Sequence, residues 1–237
     1  MNPFSLAGQT ALVTGANTGI GQAIAVAMGA AGAHVICTGR SSCDDTVAQI
    51  DSAESLALDF ADPMAAKDTF ASRQVDILVN NAGIIRRDDS VDFTEEDWDA
   101  VMDVNLKAAF FTCQAFAKAA LPRKSGKIVN IASLLSFQGG IRVPSYTASK
   151  HGIAGLTKIM ANEWAAKGIN VNAIAPGYIE TNNTTALRED PERNKAILER
   201  IPAGRWGKAD DIAQTAVFLA SPAANYIHGA VLNVDGG

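Results

Sequence analysis

Cysteine is scarce and odd in number: Cys37, Cys43 and Cys113 are the only three in 237 residues. A chain of this length needs no disulfide framework, so free thiols in a reducing compartment, the cytoplasm, are expected. Aromatics make up only 6%, and His34, His151 and His228 are scattered, with neither an H-E-x-x-H pair nor a Cys/His cluster at zinc spacing; no metal site is expected. Positive charge is short as well. With 20 Lys and Arg against 25 Asp and Glu the formal charge is −5, which removes the whole-domain positive field that nucleic acid or anionic lipid would require. Long apolar runs are missing: the most apolar stretch, Ile20 to Cys37, is broken by Gly21, Gln22, Gly29, Gly32 and His34. Met1 to Gln9 has neither a basic nor an apolar region, so neither a membrane span nor a secretory leader is expected. The G-x-S-x-G elbow of an α/β serine hydrolase does not occur.

What the chain has is alternation. Short apolar runs at Thr10 to Thr14, Ala33 to Cys37, Ser55 to Asp59, Asp76 to Asn80, Lys127 to Ala132, Ile169 to Ile174 and Ala230 to Val234 are separated by helix-length segments, beginning with Ile20 to Ala31. This pattern predicts an α/β fold: one Rossmann-type, doubly wound parallel sheet of seven strands with helices on both faces, in a single domain over 1–237. Two helices look longest, Glu95 to Ala120, opened by Thr94, and Ser145 to Lys167, closed by Gly168. The polar insertion at about 180–200 reads either as a solvated surface helix or as a lid over a cleft.

Thr14-Gly15-Ala16-Asn17-Thr18-Gly19-Ile20-Gly21 follows the first strand and opens the first helix. There a glycine-rich turn lets backbone N–H groups and a helix N-terminus face a pyrophosphate. Its spacing is G-x-x-x-G-x-G and not G-x-G-x-x-G, so the glycines alone are weak evidence and also admit a tight structural turn. The second strand ends Thr38-Gly39-Arg40-Ser41, without the carboxylate that would favour NAD. Arg40 could pair with a 2′-phosphate, which argues for NADP, or stack on the adenine, which is neutral between the two.

Ser133 lies just beyond an apolar strand, and Tyr146 and Lys150 follow at i, i+4 near a helix start. That spacing puts phenol and ammonium on one helix face. A nearby cation favours phenolate and would draw the Tyr146 pKa from about 10 toward neutrality, where it could exchange a proton with a substrate oxygen held by Ser133.

Thr14 to Gly21, Asn80-Asn-Ala-Gly83, Asn105, Ser133, Tyr146-x-x-x-Lys150 and Pro176-Gly177-x-Ile-x-Thr181, in this order and spacing, resemble the short-chain dehydrogenase/reductase family over essentially the whole chain. The resemblance implies a hydride-transferring enzyme. Tyr146 would be the general acid–base, Lys150 would lower its pKa and bond the nicotinamide ribose, Ser133 would orient the substrate, and Asn105 would support a water-linked proton relay to Lys150. Gly15, Asn17, Thr18, Gly19, Ile20 and Gly21 would cradle the pyrophosphate. Asp59 would meet the adenine amine with Phe60 beside it, Asn81, Ala82 and Gly83 would wall the adenosine ribose, and Pro176, Gly177, Ile179 and Thr181 would border the nicotinamide. The implied cofactor is NAD(H), with NADP(H) admitted by Arg40, and the implied assembly is a homotetramer built on the two long helices and the last strand.

Within the family, the segments Ile84 to Asp88, Leu134 to Ser145, Met160 to Trp164, Ala173 to Tyr178 and Arg200 to Gly207 resemble those of bacterial members, and the resemblance implies interconversion of 3-deoxy-2,5-diketo-hexonate and 2-keto-3-deoxygluconate in the breakdown of uronate polymers. Such a small sugar acid needs a cation for its carboxylate and donors for its hydroxyls; Arg87, Gln138, Arg142 and Ser145 are the candidates beside Ser133, with Arg142 the first choice. A surface Arg142 paired with an acid elsewhere is the plain alternative. Two rival functions remain. A 3-oxoacyl thioester reductase would need an exposed basic patch for an acidic carrier protein, for which Arg86, Arg87, Arg123 and Lys124 are available. A non-catalytic dinucleotide-binding regulator would need no Tyr146 and Lys150 together.

Overall fold

The computed structural model describes residues 2–66 and 68–237. Its elements run β1 (Thr10–Thr14), α1 (Gly19–Ala30), β2 (His34–Gly39), α2 (Asp44–Val47), β3 (Ala53–Ala57), α3 (Thr69–Ser72), β4 (Ile77–Asn80) and α4 (Glu95–Met102). A π turn at Asp103–Lys107 leads into α5 (Ala108–Ala120), followed by β5 (Gly126–Ile131), α6 (Pro144–Trp164), β6 (Ile169–Pro176), α7 (Thr185–Glu189), α8 (Pro191–Leu198), α9 (Ala209–Ala220) and β7 (Val231–Val234). Among the described residues the sheet has seven strands in the order β3-β2-β1-β4-β5-β6-β7, and each neighbouring pair is parallel. The winding reverses between β1 and β4, where Ala11 faces Ile77 in the ladder. At such a switch point the connections leave on opposite faces and open a crevice beyond the carboxyl ends of the strands.

Strand alternation sorts the core into two layers. Ala11 and Val13 join Ile24, Met28, Ile212 and Ala216 on the side of α1 and α9. The intervening Leu12 joins Leu78, Phe116, Ile128 and Met160 on the side of α5 and α6. Helix α4 is opened by Thr94, whose side chain accepts from the Asp97 amide at 3.2 Å, and its first turn carries Glu95, Glu96 and Asp97, which suit the positive end of the helix dipole.

Two expectations about elements need correction. The third strand lies two residues earlier than its apolar run, at Ala53–Ala57, because as an edge strand it is only half-buried and takes its register from pairing Gly39 with Ala57. The helix expected over Glu95 to Ala120 is interrupted by the π turn. The 180–200 insertion is helical, with Asp190 capping α8 through the Glu192 and Arg193 amides, and it rests on a small separate cluster of Ile197, Ile201 and Trp206 with Tyr178 and Leu198. Among the described residues no helix is long and apolar enough to cross a membrane.

Candidate active site

The first βα turn is held to the end of β4 by a small set of hydrogen bonds. Thr14 Oγ1 accepts from the Asn81 and Ala82 amides, each at 2.9 Å, while Asn81 Nδ2 donates to the carbonyls of Thr14 (2.9 Å) and Gly15 (3.1 Å). Gly15 has a left-handed φ of +64°. Gly21 is required by contact: a Cβ there would overlap the Gly15 carbonyl oxygen and Asn81 Nδ2. Above this packing, α1 starts with no side-chain cap and no acid in its first turn, so its leading amides and positive dipole end are available to an anion. A dinucleotide's pyrophosphate fits that donor set.

Arg40, exposed at the end of β2, lines the same cleft. It makes no ion pair among the described residues, and Asn17 Nδ2 ties its neighbour Ser41 to the glycine loop at 2.9 Å.

On the far wall, Ser133 follows β5, its Oγ accepting from the Leu135 amide at 3.1 Å. Tyr146 and Lys150 stand one turn apart on α6, with Lys150 Nζ 5.4 Å from the Tyr146 ring centre. Lys150 is 5% exposed; its ammonium donates to the Ile131 carbonyl at 2.6 Å, and burial lowers its pKa to about 8. The expected direction for Tyr146 needs correction. Desolvation of the half-buried phenol raises its pKa above the ordinary value; the Ser133 hydrogen bond and the charge of Arg87 pull downward without reversing it.

Asn105 sits in the π turn, 2% exposed. Its side chain pairs with the Ile84 backbone in both directions, Oδ1 accepting at 2.8 Å and Nδ2 donating at 2.9 Å, and Nδ2 also reaches Ser149 Oγ on α6 at 3.4 Å. The π turn thus gives a local reason for an Asn within a long helix: the widened turn aims its amide at the loop after β4.

Glycine loop, Ser133, Tyr146 and Lys150 share one cleft of about 460 Å³. A family model described as enoyl-(acyl carrier protein) reductase matches residues 15–237. The chain belongs to the short-chain dehydrogenase/reductase family. This dehydrogenase/reductase is 58% identical over 243 residues to a Bacillus subtilis protein named 2-dehydro-3-deoxy-D-gluconate 5-dehydrogenase, covering 99% of the chain and 96% of that relative. An Escherichia coli protein of the same name is 48% identical over 247 residues, with 100% and 98% covered. A solved structure from Agrobacterium tumefaciens, provisionally assigned as a 2-deoxy-D-gluconate 3-dehydrogenase and holding NADP, is 71% identical with a TM-score of 0.99, covering 100% of this chain and 98% of that one. The chain is accordingly an NAD(P)-dependent oxidoreductase.

The short-chain dehydrogenase/reductase brings most of the residues predicted from sequence into this cleft. Gly15, Asn17, Thr18, Gly19, Ile20, Gly21, Arg40, Asn81, Ala82, Gly83, Ser133, Tyr146, Lys150, Pro176, Gly177, Ile179 and Thr181 line it. Others lie elsewhere. Asp59 accepts from the Ala61 amide at 3.0 Å in a turn, and Phe60 packs in the core layer with Leu12 and Ile36. Arg142 is committed to Asp88 (3.5 Å) and Asp89 (3.1 Å); the Asp88 amide donates to its carbonyl at 3.1 Å, so the two loops pair and Arg142 is a surface ion-pair residue. Ser145 is fully buried with its hydroxyl unpartnered. Arg87 acts on Tyr146 by charge without lining the cleft, and Gln138 lines a neighbouring cavity. Sequence reasoning missed Asn182, Asn183 and Thr184, which also line the cleft. Their signal was the T-x-x-T spacing after Ile179: Thr184 Oγ1 donates to the Ile179 carbonyl at 2.7 Å and accepts from the Thr181 amide at 3.1 Å.

Proposed function

We propose that this enzyme interconverts 3-deoxy-2,5-diketo-hexonate and 2-keto-3-deoxygluconate with NADP(H), within the breakdown of uronate polymers. The observation that carries the reading is the joining, in one cleft, of an uncapped anion-binding helix end to the Ser133–Tyr146–Lys150 group. The similarity to sugar-acid dehydrogenases over the full chain supports the substrate. Bound nicotinamide supplies the hydride. The protein's part is placement and proton transfer: Ser133 Oγ holds the reacting oxygen, Tyr146 exchanges a proton with it, and Lys150, buried beside the ring, places a positive charge that favours proton release from the phenol. Asn105 acts through position, joining the loop after β4 to α6.

Arg40 supports NADP, since a guanidinium that faces the cleft without an acid partner suits a 2′-phosphate and the A. tumefaciens relative holds NADP. The insertion at about 180–200 takes the lid role: its Thr181 to Thr184 line the cleft and its Ile197 packs with Trp206. A homotetramer is supported by half-exposed apolar residues on the elements expected to pair: Trp98 on α4, Ile159 on α6 and Leu232 on the edge strand β7. Three free, buried cysteines fit a reducing cytoplasm. Against thioester reduction, two of the four basic residues of that patch are spent on acids, Arg86 on Asp97 at 3.0 Å and Arg123 on Asp76 at 3.3 Å. The test compares initial rates of NADH and NADPH oxidation with the diketo-hexonate and with an acetoacetyl thioester. Preferential turnover of the sugar acid is expected; activity on the thioester alone would refute the reading.

A further inference from the structure

Most arginines near the cleft loops are already engaged: Arg86 with Asp97, Arg142 with Asp88 and Asp89, and Arg205 with Asp211. Arg200 is not. It follows α8 and lines a second cavity of about 330 Å³ together with Leu134, Phe137, Gln138, Tyr178 and Asn233. Asp235 also borders this cavity, its carboxylate accepting from the Gly237 amide at 3.1 Å, yet no acid lies within ion-pairing distance of the Arg200 guanidinium among the described residues. Among the described residues the side chains of Gln138, Tyr178 and Asn233 likewise make no hydrogen bond to protein there.

The position of the cavity ties it to the chemistry. Leu134 follows Ser133, and Tyr178 follows Gly177, so the second cavity begins where the cofactor cleft ends, beyond the carboxyl ends of β5, β6 and β7. The backbone carrying Arg200 is held firmly. Ile197 and Ile201 flank it in the Trp206 cluster, Trp206 Nε1 donates to Asn194 Oδ1 at 2.7 Å, and the Tyr178 and Trp206 rings meet edge to face at 5.5 Å. A hexonate whose fifth carbon sits against Ser133 and Tyr146 extends several bonds to its carboxylate, which must leave the cofactor cleft. The adjoining cavity offers an unpaired guanidinium at that end.

We infer that Arg200 binds the substrate carboxylate and sets the preference for a sugar acid, with Gln138 and Asn233 meeting its hydroxyls. This rests on the sugar-acid reading above and replaces Arg142 in the role first expected for it. The test is steady-state kinetics of Arg200→Gln and Arg200→Lys with 2-keto-3-deoxygluconate and its neutral C1 amide, alongside NADPH binding by fluorescence. Losing a charge-assisted contact should raise the KM for the acid about 10- to 100-fold in Arg200→Gln, with partial recovery in Arg200→Lys. The KM for the amide, kcat and NADPH affinity should each stay within about threefold. A wild-type enzyme that turns over the acid, paired with an unchanged KM in Arg200→Gln, would overturn the assignment and leave the function standing. Loss of NADPH binding along with activity would mark a structural role and overturn it too, and a wild-type enzyme inert toward the acid would overturn both.

Discussion

Gly21→Ala separates cofactor binding from stability. The added methyl would overlap the Gly15 carbonyl oxygen and Asn81 Nδ2, and would lie 2.8 Å from the Gly15 carbonyl carbon. Since these are backbone and a hydrogen-bonded amide, relief requires the loop itself to move, an overpacking cost of about 1–3 kcal/mol. Replacing a helical glycine by alanine returns about 1 kcal/mol. The net loss is therefore at most about 2 kcal/mol, equivalent in a chain of this size to a Tm fall of no more than about 8 °C. Binding should suffer more. A displaced loop misaligns the amides at the start of α1, and each hydrogen bond to a charged group is worth about 1.5–3 kcal/mol, so NADPH affinity should fall roughly 10- to 150-fold for every bond lost. Fluorescence titration with NADPH and a thermal melt on the same protein provide the assay. Gly155→Ala on α6, where an added methyl would meet no atom within 4 Å, serves as the control and should leave binding unchanged. NADPH affinity in Gly21→Ala within about twofold of wild type would refute the steric basis of the phosphate cradle.

Three further outcomes are expected. Tyr146→Phe should lower turnover by at least about 10²-fold while leaving NADPH affinity intact; undiminished turnover in stopped assays would remove Tyr146 from the proton-transfer role. Arg40→Ala should cost about 1.5–3 kcal/mol in NADPH binding and far less for NADH, and equal losses by titration calorimetry would mean stacking alone. Burial pushes the Cys113 thiol up to about 12 from an ordinary 9.0, so its contribution to stability is intact below pH 9 and lost as pH rises toward 12, where the unfolded thiol ionises and the folded one stays protonated. The alkaline fall in Tm should accordingly be shallower in Cys113→Ala than in wild type; identical pH profiles would contradict that burial effect.

The fold was legible where burial on both sheet faces leaves only one choice. β1 begins at Thr10 and ends at Thr14 as its apolar run predicts, because every residue after the first is buried. The half-exposed β3 carries no such pattern, and its register came from a neighbour. The site divides the same way. The glycine loop was readable from its spacing after β1, whereas the strand-end turns at Asn81 and Pro176 entered only through the family resemblance; both line the cleft. Arg142 does not: its partners Asp88 and Asp89 lie on another loop, some fifty residues away in the chain, and only the folded structure brings them together. The Tyr146 pKa failed for a related reason, since spacing reveals the cation one turn along but not how much water the fold removes.

A π turn contains one residue more than the α-helical turn it replaces, so Asp103–Lys107 acts as a phase shifter between α4 and α5. Removing a single residue there would rotate everything downstream by about 100°. Phe116 and Cys113 would swing out of their core layer while Asn105 lost its hold on Ile84. A substitution in this stretch keeps the phase of the helix even where, as at Asn105, it would cost the hold on Ile84, whereas a change of length shifts every residue that follows.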